Sequence, residues 1–166
     1  PERMNAFEPG CRRVAVELIA GLPVESEFHF IREFAHPFTL KSQCAFLGWP
    51  VEVWERLHGW THGNQDASLS RDRAATATLA QEFADYVEEQ LQARREIGAA
   101  SPDDVTASLM ATEIGGARLT DEQIVSVLRN WVAGQGTVSA GIEIVMLHLA
   151  QNRDLQEQLR QQPELV

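Results

Sequence analysis

The sequence is poor in cysteine and in basic residues, and these two shortages exclude several classes of protein. Its cysteines, Cys11 and Cys44, do not have the close spacing of a metal-binding pair, and two cysteines do not indicate a disulfide scaffold. Lysine and arginine number 14 against 24 acidic residues, which gives a net charge of −10. This acidity argues against binding to nucleic acid, which requires a basic face, and against docking on an anionic membrane surface.

Long apolar runs and strand-like alternation are also missing. The longest uncharged stretch of the late apolar region, from Asn130 to Ile142, has 13 residues, whereas a membrane-spanning helix needs about 20. Alternating apolar and polar residues never continue long enough to predict a convincing strand. The hydrophobic content of 44% is ordinary for a folded domain. We therefore expect an all-α chain in the cytoplasm, without membrane or nucleic acid.

Helical periodicity covers most of the chain, and glycine, proline and capping residues mark its interruptions. A capping box, with Thr120 as the cap and Gln123 reaching back, predicts the start of the longest helix. Loops are expected at residues 63–66 and at Gly115-Gly116. The predicted helices span about 5–20, 26–47 with a kink near His36 before Pro37, 51–62, 69–97, a short segment from Ser101 to near Thr112, 120–151, and a last helix from near Asp154.

The helix predicted over 120–151 would be about 48 Å long at 1.5 Å per residue, and its middle is unusual. Three glycines fall within eight residues, and each costs roughly 1 kcal/mol relative to alanine in a helix. Bulky residues predict a core stripe that includes Ile124, Trp131, Val138 and Val145. A second, flat stripe consists of small residues: Ala133, Gly134, Thr137, Ala140 and Gly141.

Two interpretations of the flat stripe remain open, namely close packing of another helix and contact with a flat cofactor. The hydroxyl of Thr137 could bond back to the carbonyl of Ala133, four residues earlier. Together with the glycines, this bond predicts a local distortion between Ala133 and Thr137.

Several motifs occur in an order that resembles the bacterial cytochromes P450, which are haem-thiolate monooxygenases. The resemblance is carried by Leu119–Val125, by Ala133-Gly134-Gln135-Gly136-Thr137-Val138, by Leu155–Leu165 and by Leu47-Gly48-Trp49-Pro50. The family's distal helix carries [AG]-G-x-[DE]-T-[TS] over the oxygen-binding face of the haem. The resemblance implies that Ala133 and Gly134 flank the haem, that Thr137 is the distal proton relay, and that a full-length enzyme uses a small organic substrate and an electron-donor protein.

The sequence departs from the family pattern at important positions. Gly136 replaces the usual acid, and Val138 replaces a second Thr or Ser. The family's F-x-x-G-x-[RH]-x-C loop, which supplies the haem thiolate, is not present, and Glu157-Gln158-Leu159-Arg160 is predicted to be a surface ion pair. We therefore expect residues 1–166 to be a single central helical fragment, truncated at both ends. It should bind no haem tightly, be inactive alone, and self-associate through uncovered apolar surface.

The alternative interpretation is a free-standing all-α module that binds a ligand or a protein partner without haem. A metal site is not predicted. His58 and His62 are four residues apart and share a helical face, but no third ligand is apparent from the sequence. His36 is interpreted as a residue of the kink before Pro37.

Overall fold

A computed structural model describes residues 2–98 and 104–165 of the chain. The described part is all-α apart from one two-stranded hairpin, which confirms the predicted fold class. The helices are α1 (Glu2–Ala20), α2 (His36–Leu47), α3 (Trp54–Leu69), α4 (Arg73–Ile97), α5 (Val105–Met110), α6 (Asp121–Ala133), α7 (Gln135–Gln151) and α8 (Arg153–Gln161). A π-helical turn (Ile31–Ala35) precedes α2, and 3₁₀ turns occupy Val51–Val53 and Pro163–Leu165.

The π-helical turn leads directly into α2 and confirms the kink predicted near His36. The backbone N–H of His36 donates to the carbonyl of Ile31, five residues earlier. Pro37 follows in the first turn of α2, and because proline has no N–H it cannot continue the ordinary i→i−4 pattern. The predicted helix start at 26 is wrong, since the continuous helical backbone begins at Phe30.

The boundary between α3 and α4 differs from the prediction, because residues 63–66 are helical. Gly63 lies where α3 passes close to α4, and a Cβ there would meet Leu79 Cδ1 at 3.1 Å. The chain turns later, at Arg71, which has a positive φ of 58°. Asp72 then caps α4 by accepting a hydrogen bond from the Ala75 N–H at 2.9 Å. The glycine that suggested a loop therefore permits close helix packing instead.

The segment Leu47–Pro50 is tied to the chain around α5 by buried polar contacts. The hydroxyl of Thr106, which is fully buried, donates to the carbonyl of Leu47 at 2.7 Å and accepts from Trp49 Nε1 at 3.0 Å. Arg94 donates to the carbonyl of Gly48 at 2.7 Å and to Asp104 at 2.8 Å. These contacts join the ends of α2 and α4 to the start of α5.

Asp104 is the N-cap of α5 and accepts from the Ala107 N–H at 2.9 Å. The helix start predicted at Ser101 lies outside the described residues, and the observed α5 begins at Val105. After α5, residues Glu113–Ile114 and Ala117–Arg118 pair as an antiparallel hairpin. Its turn consists of Gly115 and Gly116, both with positive φ, which suits a two-residue hairpin turn.

The hydrophobic core lies between α2, α3, α4 and the first half of the long helical segment, α6. Trp49 and Trp60 are both buried and pack edge-on against aromatic rings of α4. The buried cluster consists of Leu40, Cys44, Leu47, Trp49, Leu57, Trp60, Phe83, Tyr86, Val87, Leu91, Val105, Ile124, Leu128 and Val132.

The segment predicted as one helix over 120–151 forms α6 and α7, separated at Gly134 alone. Thr120 and Gln123 make the predicted capping box at its start. Within the described residues, Asp121–Gln151 is the one helical segment long and apolar enough to span a membrane by length and composition. The same test is passed by core helices of soluble proteins, so it does not by itself place the segment in a membrane.

We predict that Gly48→Ala destabilises the chain more than Gly98→Ala. Both glycines end helices in the left-handed conformation, with φ of 71° and 70°, so both substitutions carry a backbone cost of roughly 1–2 kcal/mol. At Gly48 a Cβ would also lie 2.7 Å from Asp104 Cγ, whereas no atom of the described residues lies within 4 Å at Gly98. The clash should add about 1–3 kcal/mol.

Urea unfolding of the two variants beside the parent chain measures this difference. Gly98→Ala is the matched control for the left-handed backbone. Equal destabilisation of both variants would show that Asp104 moves aside freely and that the contacts around Gly48 are not rigid.

Candidate functional site

A cavity of about 1030 Å³ lies between α2, α3, α4 and the α6–α7 segment. Ala133, Gly136 and Thr137 line it from the long helical segment. Gly134, the other predicted site residue, does not line the cavity but forms the junction between α6 and α7. The part of the lining that comes from α2 and α3 includes three histidines, which the sequence did not predict to lie together: His36, His58 and His62.

The helix is locally distorted at Gly134, as predicted. The backbone N–H of Thr137 donates to the carbonyl of Gly134, three residues earlier, at 3.1 Å. Of the two predicted causes, the glycines and a back-bond from Thr137, the second is wrong, because the hydroxyl of Thr137 has no hydrogen bond within the part of the chain that the structure describes. The distortion therefore lies in the backbone at Gly134, and the Thr137 hydroxyl is free to meet a group inside the cavity.

The flat stripe is exposed, and nothing in the described chain packs on it closely. Ala133, Gly134 and Thr137 are all exposed. A Cβ at Gly136 or Gly141 would meet no atom within 4 Å. Close packing of another helix of this chain therefore does not explain these glycines, and the open space beside them suits a broad, flat group.

The predicted bulky core stripe is buried at the start of α6 and exposed at Trp131, Val138 and Val145. Ile124 and Leu128 are buried, but Val138 and Val145 are 49% and 58% exposed. Trp131 is also exposed, at 36%. The reason is that α7 turns Ser139, its buried residue, towards the interior. Four consecutive residues of α7 are exposed: Ile144, Val145, Met146 and Leu147.

Three imidazole rings meet on the wall formed by α2 and α3. His58 and His62 lie one turn apart on α3, with ring centroids 4.2 Å apart. The ring centroid of His36, at the start of α2, is 5.3 Å from each of them. His58 Nε2 and His36 Nδ1 are 3.3 Å apart. One ring nitrogen of each histidine lies within 4.8 Å of those of the other two.

A carboxylate on α7 faces the same cluster. Glu143 Oε1 lies 3.8 Å from His36 Nε2 and accepts a hydrogen bond from the buried Ser139 hydroxyl at 3.0 Å. The pKa of His36 is lowered by burial and by His62, although Glu143 raises it. Burial, followed by the two neighbouring rings, lowers the pKa of His58. Both rings are therefore held in the neutral form more strongly than free histidine.

The side chain of Gln135, the residue before Gly136, is bonded to α2. Its amide donates a short hydrogen bond to the side-chain oxygen of Gln43, a buried residue of α2. This contact joins the start of α7 to α2 beside the cavity. Gln135 is thereby engaged by the protein rather than by a group in the cavity.

A haem-thiolate site needs a cysteine beside the haem, and neither cysteine is among the residues that line the cavity. Cys44 is fully buried in the core between α2 and its neighbours, and burial raises its pKa to about 12. Burial also raises the pKa of Cys11 on α1. Both thiols therefore stay protonated at neutral pH.

The sequence and the fold match a known family. The family model described as cytochrome P450 matches residues 54–164. The chain belongs to the cytochrome P450 family.

Individual cytochromes P450 match nearly the whole chain. Vitamin D(3) 25-hydroxylase of Pseudonocardia autotrophica is 28% identical over 99% of this chain and 40% of its own length. Linalool 8-monooxygenase of Pseudomonas putida is 28% identical over 100% of this chain and 41% of its own length. The ligand-free structure of cytochrome P450 TbtJ1 is 27% identical, with a TM-score of 0.83, over 99% of this chain and 44% of that one. The chain therefore spans about two fifths of the length of these relatives.

The sequence predicted the distorted segment of the long helix but did not predict the histidine cluster. His58 and His62 have the i,i+4 spacing that places two side chains on one helical face, and this was the available signal. His36 precedes His58 by 22 residues and lies on another helix. Only the packing of α2 against α3 brings the third ring to the pair.

We predict that Gly136→Ala stabilises the chain by about 0.5–1 kcal/mol, because alanine is the better helix former and its methyl would enter open space. Gly63→Ala is the contrasting control, because its methyl would press on Leu79. Gly63→Ala should therefore be stabilised less than Gly136→Ala, or be destabilised. Thermal and urea unfolding compare the two, and a destabilised Gly136→Ala variant would contradict the open cavity seen here.

Proposed function

We propose that this chain forms part of a haem-dependent monooxygenase. In this proposal α6 and α7 are the distal helices, which cover the oxygen-binding face of the haem, and α3 and α4 cover the substrate pocket. The observation that carries the proposal is the exposed surface of Ala133, Gly136 and Thr137, which faces the cavity at a break in the long helical segment. Family membership supports it, and favours it over a free-standing module without haem. By analogy with cytochromes P450 we place the protein in the cytoplasm.

The residues present fit a haem on this side of the cavity. Ala133 and Gly136 have small side chains or none, and the space beside Gly136 is open. The haem, when bound, supplies the oxygen activation that lets one oxygen atom be inserted into the substrate. The thiolate that such a haem needs does not come from Cys11 or Cys44, because neither is among the residues that line the cavity. The isolated chain is therefore expected to bind no thiolate-ligated haem and to be inactive.

The chain's own residues would orient the substrate and deliver protons. Trp60, Leu79 and Phe83 give the wall formed by α3 and α4 an apolar surface, which suits a small organic substrate. Thr137 Oγ1 has no partner in the described chain and can hold a water or pass on a proton. Gly136 and Val138 have no side-chain hydrogen-bonding group, so Thr137 is the main distal hydroxyl. An electron-donor protein would supply the reducing equivalents.

We predict that Thr137→Ala uncouples turnover in a haem-loaded protein that contains this chain. General acid catalysis by a positioned group contributes about 10²–10⁴ in rate, so loss of the hydroxyl should divert reducing equivalents from product to peroxide. The measurement is the amount of product per nicotinamide cofactor oxidised. Gly136→Asp should keep or improve this ratio by restoring an acid beside Thr137.

The matched control is Thr78→Ala, which removes an exposed hydroxyl bonded to the Ala74 carbonyl on α4. It should leave the ratio unchanged. An unchanged ratio in Thr137→Ala would show that protons reach the haem through water or another side chain, and the assignment of Thr137 would then be wrong.

We also predict that the isolated chain self-associates, because α7 exposes Ile144, Val145, Met146 and Leu147 in succession. In a complete enzyme we expect this face to be covered by other parts of the protein. Sedimentation velocity at tens of micromolar (roughly the usual working range) should show species larger than the monomer. Val145→Lys with Leu147→Lys should shift the distribution towards monomer, whereas a Gln151→Lys control should not. A clean monomer for the parent chain would refute the prediction.

A further inference from the structure

We propose that His36, His58 and His62 form a binding site for one divalent transition-metal ion of the zinc type. Its ligands come from α2 and α3, whereas the proposed haem face belongs to α6 and α7 on the lining of the same cavity. It does not rest on the proposed function, since the three imidazoles are together in this chain whatever the cavity binds.

The distances between the rings suit a tetrahedral ion. With Zn–N bonds of about 2.0–2.1 Å, two nitrogens of a tetrahedral site lie about 3.4 Å apart. His58 Nε2 and His36 Nδ1 are already 3.3 Å apart. His62 has to close from at most 4.8 Å, and as the exposed member of the cluster it can do so by rotating its side chain.

The position of each ligand is fixed by its helix. His58 and His62 share one face of α3, the i,i+4 arrangement in which two histidines bind one zinc ion. His36 is held at the junction between the π-helical turn and α2 by its backbone bond to Ile31. Two rigid helices therefore supply three nitrogen ligands, and the exposed side of His62 leaves room for a water as the fourth.

Glu143 supplies the outer partner that metal-binding histidines usually have. A histidine that binds a metal through one nitrogen commonly donates its other N–H to a carboxylate. With Nδ1 of His36 directed to the ion, its Nε2 faces Glu143 Oε1 at 3.8 Å. Ser139 in turn donates to this carboxylate. The ion would thus link α2 and α3 directly, and α7 through Glu143.

The choice of metal follows from the ligands. Neutral imidazole suits zinc, copper and nickel, whereas calcium and magnesium prefer oxygen. We infer zinc because three nitrogens and an open fourth position match its common tetrahedral site. Cobalt(II) serves as the coloured probe of the same geometry.

The test uses the chain without a polyhistidine tag, stripped with a chelator and dialysed. Zinc titration by calorimetry should show one ion per chain, and zinc should raise the melting temperature. His36→Gln, His58→Gln and His62→Gln should each weaken zinc binding about 100-fold, and Glu143→Gln about tenfold, as expected for a ligand and for its outer partner. The control His29→Gln/His148→Gln removes the two histidines outside the cluster and should bind zinc as the parent does.

X-ray absorption at the zinc edge of the unmutated chain gives an answer that needs no variant to fold. It should show three imidazole nitrogens at about 2.0 Å, and cobalt(II) should give the intense visible bands of a four-coordinate ion. The proposal is overturned by any of three results: no saturable site up to 100 µM zinc (about the weakest affinity of interest), sulfur scattering that points to a cysteine, or loss of binding in the His29/His148 control.

Discussion

The contacts between Leu47–Pro50 and the start of α5 fix the helix on which the cavity is built. The Thr106 hydroxyl satisfies both the Leu47 carbonyl and the Trp49 ring N–H in a buried place, where an unpaired polar group costs about 1–3 kcal/mol. Arg94 ties the same turn to α4. Because α2 is anchored at Leu47, its other end holds His36 against α3. Gln43, which lies between these two ends of α2, accepts a hydrogen bond from Gln135 of α7.

Much of the fold could be predicted because its signals are local. The capping box of Thr120 and Gln123, whose partners are three residues apart, predicts the start of α6. Gly48, which adopts the left-handed conformation, marks the end of α2. The glycine cluster near Thr137 correctly predicted a distortion. The order of these motifs was enough to indicate the family.

The errors arose where the meaning of a residue depends on a distant neighbour. Gly63 suggested a loop, yet it is helical and makes room for Leu79 of α4. Val138 and Val145 suggested a core stripe, but Ser139 is the residue of α7 that faces the interior. A periodic pattern shows which residues share a helix face and does not show which face is covered. The histidine cluster was missed for the same reason, since its members come from two helices.

The cavity combines two arrangements of opposite character. The side formed by α6 and α7 is open, with small residues and the unbonded hydroxyl of Thr137, so it can accommodate a large group but can fix little by itself. The side formed by α2 and α3 carries three histidines, of which His36 and His58 are already close together and His62 alone has to move towards an ion. Glu143 belongs to α7 but lies 3.8 Å from His36. An ion bound by the histidines would therefore restrain α7, the helix that carries Thr137, through Glu143. Binding of the ion on the side of α2 and α3 would thus affect how firmly the side of α6 and α7 is held, and the reverse.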